Sequence, residues 1–368
     1  MTTVTQASPD INTSLSMFGQ MTAMDHEQVV FCHDSASGLN AIIAVHNTVL
    51  GPALGGTRFW NYSNDQEAIT DALRLSRGMT YKAAITGLHL GGGKAVIIGN
   101  SRKDKSEALF RRYGKFVESL NGKYITAEDV GTSKEDMEWI SRETKFVTGL
   151  PEYLGGGGDP SPFTALGVYM GMKAAAKKVY GNDSLHNKRV LIQGIGHVGE
   201  HLVNYLEKEG AVILVTDIFE DRIVEVSRQH KVTVVKTEET YSANIDIYAP
   251  CALGATVNTE TIGSLKCAII AGAANNQLAD ETLHGQMLLE KGILYAPDFV
   301  INAGGLINVG MELEVYNRDR VKTETEKIYQ RTLNIFDLSQ QKKVPTYKAA
   351  NEMAEDRIKS IAHLNAKR

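Results

Sequence analysis

One stretch constrains this chain more than any other: Arg189 to Gln193, then Gly194-Ile195-Gly196-His197-Val198-Gly199, then Ala211 to Thr216 and Asp217. An apolar run leads into a glycine-rich turn, a helical segment spans His197 to Glu209, and a second apolar run ends on an acid. That order is the strand–turn–helix–strand arrangement of a dinucleotide-binding βαβ unit. Each glycine has its own physical reason: Gly194 permits the tight turn, Gly196 lets backbone approach a pyrophosphate, and Gly199 lets helix pack close to strand. The helix start at His197 and Val198 presents unpaired N–H groups to the phosphates. Asp217 would hold a ribose 2′-hydroxyl and repel a 2′-phosphate, which favours NAD over NADP.

The rest of the chain fits a soluble α/β protein. Its 368 residues exceed one comfortable core, so two domains are expected. A net charge of −4 offers no basic surface for nucleic acid, and no apolar run approaches the ~20 residues of a membrane helix. Met1 to Ser16 lacks both the basic start and the apolar core of a secretory signal, and is expected to form a disordered or loosely docked tail. Cys32, Cys251 and Cys267 are far apart, without metal-ligand spacing, and are expected to be free thiols in a reducing cytoplasm. No metal site is expected.

Strand signals occur at Gln28–His33, Asn40–His46, Ala95–Ile98 and Tyr124–Ala127, and helix signals at Asn64 to about Thr80, Ser106–Leu120 and Ser133–Arg142. The tract Gly155-Gly156-Gly157-Gly158-Asp159-Pro160-Ser161-Pro162 cannot continue regular structure and is the best domain boundary. A long helix follows from Thr164 to Tyr180. Further apolar runs at Val232–Val235, Asp246–Ala249, Ala268–Ala271 and Ile293–Ala296 bring the second domain to six candidate strands, the number of a full doubly wound parallel sheet. Tyr347 to Lys367 reads as a closing helix.

A nucleotide domain implies a cofactor, not a reaction; the reaction must come from elsewhere. Three islands in the first domain combine glycine with charge: Gly51-Pro52-Ala53-Leu54-Gly55-Gly56-Thr57-Arg58; Gly78-Met79-Thr80-Tyr81-Lys82 leading to Gly91-Gly92-Gly93-Lys94; and Thr126-Ala127-Glu128-Asp129-Val130-Gly131-Thr132. Small residues let a substrate approach backbone closely while the charged side chains reach it. Gly93-Lys94 is not a phosphate-binding P-loop, because Leu88 stands where its first glycine belongs and Ala95 replaces the required hydroxyl.

These islands, with Pro250-Cys251-Ala252-Leu253-Gly254-Ala255, Ala273-Ala274-Asn275-Asn276 and Asn302-Ala303-Gly304-Gly305, resemble in content and order the Glu/Leu/Phe/Val dehydrogenase superfamily, from about Met17 to the C-terminus. The resemblance implies a mixed-sheet α/β substrate and oligomerisation domain (1–149 with 345–368), a Rossmann-type doubly wound NAD domain (150–344), and an active site in the cleft between them. It implies reversible NAD-dependent oxidative deamination of an L-amino acid to a 2-oxo acid and ammonia. By motif, Lys82 would bind the α-carboxylate, Lys94 would activate the water that attacks the imine, and Asp129 would carry protons to and from the amino group. Two lysines in a closed cleft repel, and burial adds to the effect, so one is expected to sit nearer neutrality and act as the base. On the cofactor side the resemblance adds Thr164, Ile218, Cys251, Ala252, Ala274, Asn275, Asn276 and Asn302 to Gly194, Gly196, His197, Val198, Gly199 and Asp217. It also implies a cytoplasmic homo-oligomer, commonly an octamer; apolar residues such as Val29, Phe31, Ile42 and Val45 on the first strands agree with an edge awaiting a partner.

Glutamate-specific relatives carry a lysine where this chain has Leu54, and a distal carboxylate buried against leucine would cost several kcal/mol. Leu54, Gly55, Met79, Ala127, Leu306 and Val309, with Asn302 nearby, are the expected substrate wall. Leu306 and Val309 fill the room that phenylalanine-specific relatives leave for a ring, and Asn308 replaces their usual histidine. Branched aliphatic substrates, L-leucine first, are therefore expected; the alternative is an aromatic or broad-specificity member. Three residues depart from the leucine-type pattern: His89, expected to be a hydrogen-bonding neighbour of the site, Phe163 and Leu166. A catalytically dead nucleotide sensor would lack Lys82, Lys94 or Asp129. A 2-hydroxy-acid dehydrogenase would need a histidine–acid pair and a guanidinium that no motif supplies.

Overall fold

The computed structural model describes residues 16–365; the expected N-terminal tail lies almost wholly outside them. The chain divides into two compact units. The first runs to Gly158 and takes back Asn308–Arg318 and the chain from Ala354 onward. The second comprises Asp159–Ile307 and Asp319–Met353. This differs from the expected 150–344 division at three places, the first being the start of the second unit at Asp159, within the glycine-proline tract, rather than at 150. The segment after Ile307 goes with the first unit, where the Glu312 carboxylate accepts the backbone N–H groups of Gly149 and Gly157 at 2.8 Å each. The final return of the chain falls inside the last helix rather than before it.

The first unit contains α1 (Met17–Met24), β1 (Gln28–Asp34), β2 (Leu39–Asn47), β3 (Ala53–Trp60), α2 (Asp65–Ile85), β4 (Gly91–Ile98), α3 (Glu107–Ser119), β5 (Tyr124–Glu128) and α4 (Lys134–Ser141). Its sheet has the order β1-β2-β4-β3-β5, antiparallel as far as β4 and parallel beyond. Side-chain alternation divides the sheet into two cores. Ala53, Phe59, Ala95, Ile97 and Tyr124 pack with α3 and α4, whereas Ile42, Ala44 and Val96 pack with Ala68, Ala72 and Leu73 of α2. Of the strand residues expected to await a partner, Ile42 and Val45 are buried on β2, while Phe31 on the edge strand β1 is 57% exposed.

β3 is the strand that sequence patterning does not reveal, and β4 begins at Gly91 rather than at Ala95. Glycine weakens a strand through backbone entropy and the lack of a side chain to pack, so both tracts read as loops. The tertiary structure needs those glycines. A Cβ on Gly55 would lie 1.7 Å from the Gly93 carbonyl oxygen, and one on Gly92 would lie 2.1 Å from the Thr80 backbone nitrogen. Strand therefore meets strand, and helix meets sheet, at backbone distance. The Tyr124 hydroxyl donates to the Gly55 carbonyl at 2.6 Å beneath them. Helix α2 also continues beyond the expected Thr80 to Ile85, so Met79 and Lys82 are helical.

The second unit follows with α5 (Ser161–Tyr180), β6 (Arg189–Gln193), α6 (His197–Glu209), β7 (Val212–Thr216), α7 (Glu220–Gln229), β8 (Val232–Val234), β9 (Ile247–Pro250), α8 (Thr259–Ser264), β10 (Ile269–Ile270), α9 (Glu281–Lys291), β11 (Leu294–Tyr295), α10 (Asp298–Ile301), α11 (Gly304–Met311), α12 (Arg318–Glu326), α13 (Ile328–Lys342) and α14 (Thr346–Asn365). The chain passes between the units within α11, after the first residue of α12, and within α14. Helix α5 starts earlier than expected because Pro162 falls in its first turn, where no N–H is needed. All six strands are parallel in the order β11-β10-β9-β6-β7-β8, with the strand order reversing between β6 and β9. This is the doubly wound order, whose ligand crevice lies outside the carboxyl ends of the strands at that reversal.

Candidate functional site

In the first unit, register places Leu54, Gly56 and Arg58 of β3 on one face with Gly92 and Lys94 of β4 and with Ile125 and Ala127 of β5; Asp129 follows β5 on that same face. Gly55 falls on the opposite face with Gly93, so it offers this side backbone only. Lys94 is 5% exposed, and its Nζ stands 2.8 Å from Asp129 Oδ2. A Cβ on Gly56 would come within 2.8 Å of the Asp129 Cβ, so glycine there makes room for the acid. The Asp129 backbone N–H donates to Thr132 Oγ1 at 2.9 Å, and that hydroxyl lies 3.0 Å from the Thr57 carbonyl, which ties the loop to β3. Burial alone would raise the Asp129 pKa; the charges of Lys94 and then Arg58 outweigh it and hold the carboxyl down at about 2.

Helix α2 is pinned over this face at Thr80. The helix lies directly on Gly92, and Thr80 Oγ1 hydrogen-bonds His46 Nδ1 at 2.8 Å. Lys82 comes half a turn later, in the last turn of α2. The Arg357 guanidinium from α14 donates to the Ala83, Ala84, Gly87 and Leu88 carbonyls, with contacts of 2.8 to 3.3 Å. It satisfies the orphan acceptors of the helix end that carries Lys82. Leu54 and Ala127 are buried, and Met79 and Val309 are partly so. His89, expected to be a hydrogen-bonding neighbour, is exposed.

Sequence patterning alone gives no part to several residues found here. Arg58 lies within the glycine island, and its Nε donates to Asp129 Oδ2 at 3.1 Å. Asp71 of α2 and Tyr62 stand behind Arg58. The Gly-Gly-x-Arg pattern is the available signal for Arg58; nothing local marks Asp71 or Tyr62.

In the second unit the turn after β6 has the shape its glycines require. Gly194 has φ +101° and packs against Ala252, where a Cβ would lie 2.6 Å from the alanine Cβ. A Cβ on Gly199 would lie 2.2 Å from the Gly194 carbonyl oxygen, so α6 and the turn touch. Gly196, by contrast, faces open space, its nearest neighbour being an Arg222 guanidinium nitrogen at 3.7 Å. His197, at the start of α6, and Ile218 are exposed, and Val198 is partly so. Asp217 at the end of β7 accepts from the Ile195 N–H at 2.6 Å and the Phe219 N–H at 3.0 Å, and so braces the turn.

Beyond β9, the Cys251 N–H donates to the Gln193 carbonyl, and Ala274 N–H to Pro250. Asn302 is buried, and its amide donates to the Ala273 carbonyl at 3.0 Å and to Asn275 Oδ1 at 2.8 Å. Its Oδ1 is buried without a partner among the described residues. Asn276 takes a left-handed φ of 52°, the turn-forming role of an asparagine. Thr164 Oγ1 lies against Gly305, where a Cβ would sit 2.8 Å away, and Leu306 on the same turn of α11 is partly buried. Phe163 and Leu166 are core residues of α5. An open glycine turn at a helix N-terminus, a bracing acid and an unpaired buried acceptor fit a dinucleotide's pyrophosphate and hydroxyl groups.

Comparison with known proteins accounts for both units. The dimerisation-domain model of the Glu/Leu/Phe/Val dehydrogenases matches residues 26–146, and the glutamate/leucine/phenylalanine/valine dehydrogenase model matches 155–219 and 215–365. Leucine dehydrogenase of Thermoactinomyces intermedius is 54% identical over 94% of this chain and 94% of its own. Phenylalanine dehydrogenase of Lysinibacillus sphaericus is 49% identical over 91% of this chain and 89% of its own. The crystal structure of L-tryptophan dehydrogenase from Nostoc punctiforme superposes with a TM-score of 0.85 at 46% identity, covering 94% of this chain and all of that one. The chain belongs to the Glu/Leu/Phe/Val dehydrogenase family and is an amino-acid dehydrogenase of that family.

Proposed function

We propose that this dehydrogenase oxidatively deaminates branched-chain L-amino acids, L-leucine first, with NAD, and runs the reverse reductive amination of the 2-oxo acids. The observation that carries the reading is the Lys94–Asp129 pair at 2.8 Å on the sheet face that also bears Leu54. When bound, the dinucleotide supplies the acceptor for the α-carbon's hydride. Lys82 holds the substrate carboxylate. Lys94 takes the proton from the water that adds to the imine carbon, and Asp129 passes protons to and from the departing amine, so that ammonia leaves as the carbonyl forms. Leu54 supplies no charge partner for a distal carboxylate, which argues against glutamate, and Leu306 and Val309 are proposed to complete the apolar wall. Asp217 supports NAD through its carboxylate, although Arg222 nearby is a cation that would suit a 2′-phosphate.

The test is NADH or NADPH formation with L-leucine, L-valine, L-isoleucine, L-phenylalanine, L-tryptophan and L-glutamate, each with NAD and with NADP. The branched aliphatics with NAD are expected to lead. Preference for an aromatic substrate, the activity named for two of the relatives, would overturn the pocket argument and leave the reaction class standing. Preference for NADP would overturn the role given to Asp217.

We also propose a cytoplasmic homo-oligomer, an octamer by family analogy. Three unpaired cysteines fit a reducing compartment, and Phe31 is exposed on an edge strand. Light scattering is expected to give a multiple of the 40.2 kDa chain, and a monomer would overturn it.

A further inference from the structure

The proposed chemistry uses Lys94 and Asp129 and leaves a second cation beside them without a role. Arg58 reaches Asp129 Oδ2 with Nε at 3.1 Å and Asp71 Oδ2 with an Nη at 2.8 Å, and the Tyr62 hydroxyl donates to that same Asp71 oxygen at 2.6 Å. Because Lys94 Nζ also lies 2.8 Å from Asp129 Oδ2, one carboxylate oxygen serves both cations. None of the four charged side chains is more than 24% exposed.

The charges balance only while Lys94 is protonated: Lys94 and Arg58 face Asp129 and Asp71. When Lys94 gives up its proton, a single cation remains to oppose two carboxylates, and it is the one side chain that does not deprotonate in proteins. Its planar fork also lets it serve both acids at once, which a lysine ammonium does less well.

We propose that Arg58, oriented by Asp71 and Tyr62, is a positioning residue for the dehydrogenase reaction: it holds Asp129 anionic and aimed at Lys94 through the steps in which Lys94 is neutral. The proposal rests on the reading of Lys94 and Asp129 as the acid–base pair. Among the described residues, the charged side chains paired with the Asp129 carboxylate are Lys94 from β4 and Arg58 from β3; behind Arg58 stand Asp71 from α2 and Tyr62 after β3. Burial and then Asp71 hold the Tyr62 phenol above its ordinary range, so it remains a donor at working pH. Burial opposes the Arg58 charge, but Asp129 and Asp71 outweigh it.

The experiment measures kcat, KM and the kcat–pH profile of the full-length enzyme for Arg58→Met, Arg58→Lys, Asp71→Asn and Tyr62→Phe, with Asp129→Asn as reference. Arg58→Met is expected to lose roughly 10- to 100-fold in kcat, the scale of a reacting group displaced by about 1 Å. KM should change little, the acid limb of the profile should move to higher pH, and Arg58→Lys should recover part of the loss. Asp71→Asn and Tyr62→Phe are expected to lower kcat less far; the acid limb should move to lower pH in Asp71→Asn, which removes an anion sharing Arg58 with Asp129, and little in Tyr62→Phe, which keeps the idea testable should Arg58→Met fail to fold. Unchanged kcat and profile in folded Arg58→Met, or in Asp71→Asn if Arg58→Met does not fold, overturns the proposal. So does an equal loss in the Met and Lys variants with an unmoved profile. If Asp129→Asn keeps parental kcat, the acid–base reading itself fails, whereas an inactive Asp129→Asn beside a fully active Arg58→Met sinks only the role of Arg58.

Discussion

Lys94→Ala is expected to fold, to bind dinucleotide as the parent does, and to lose turnover by about a thousandfold. The size follows from the role: a positioned acid–base group contributes roughly 10²- to 10⁴-fold. Lys94 is 5% exposed, so another side chain reaches its place only by repacking. Removing one partner of a buried ion pair is ordinarily costly, because the other charge is stranded. Here Asp129 keeps Arg58 at 3.1 Å and the side chain remains 22% exposed, so the loss should fall on kcat rather than on folding. The check is kcat for L-leucine and NAD beside a fluorescence titration of dinucleotide binding. Activity within tenfold of the parent, with binding intact, would mean that another group activates the water.

The second large effect is on stability in mild acid. His26 and His46 are 9% and 6% exposed, with ring centroids 4.7 Å apart. His46 Nε2 donates to the Met24 carbonyl at 3.0 Å, which leaves Nδ1 to accept from Thr80. His26 Nε2 meets the Leu73 carbonyl at 3.0 Å and Ser76 Oγ at 2.8 Å, while its Nδ1 has no partner among the described residues. Protonation would bury an unsatisfied N–H and set two like charges side by side. Burial is the main cause lowering His26 to about 4; burial and then His26 lower His46 to about 3. The Leu73 and Met24 bonds oppose the shifts, and Arg77 adds to them.

Both folded pKa values lie below the unfolded value near 6.5, so between these limits the unfolded chain binds more protons. Stability is whole above about pH 6.5 and declines as pH falls toward 4, by up to about 1.4 kcal/mol per pH unit for each histidine. The depressed carboxyl of Asp129 contributes nothing to this window, because its stabilisation is lost only below about pH 4. Urea midpoints measured from pH 7.5 to 4.5 should fall steeply in the parent and much less in a His26→Gln, His46→Gln double variant. Parallel slopes would place the acid sensitivity elsewhere.

Much of the second unit was legible because its signals are local. A strand, its glycine turn, the following helix and the closing acid lie within Arg189 to Asp217, and the turn geometry at Gly194, Gly196 and Gly199 needs only neighbours in that stretch and Ala252. Lys94 and Asp129 were legible through the order of motifs rather than through any spacing that shows them touching. β3 and the start of β4 were not, since a Gly-Gly pair lowers strand propensity wherever it occurs. Only the closeness of Gly93 to Gly55, and of Thr80 to Gly92, makes glycine the residue that these strands require.

The partners of the site divide in the same way. The chain alone carries its chemical types: a dinucleotide turn, two lysines and an acid set among glycines, because these are properties of residues and short spacings. That Arg58 reaches both Asp129 and Asp71, that His46 pins α2 through Thr80, that Arg357 closes the helix end bearing Lys82, and that Asn308–Arg318 returns to the first unit were decided by packing. These contacts join residues from 13 to 274 positions apart, and it is the packing of helices on the sheet and on one another that brings such distant polar groups within hydrogen-bonding range.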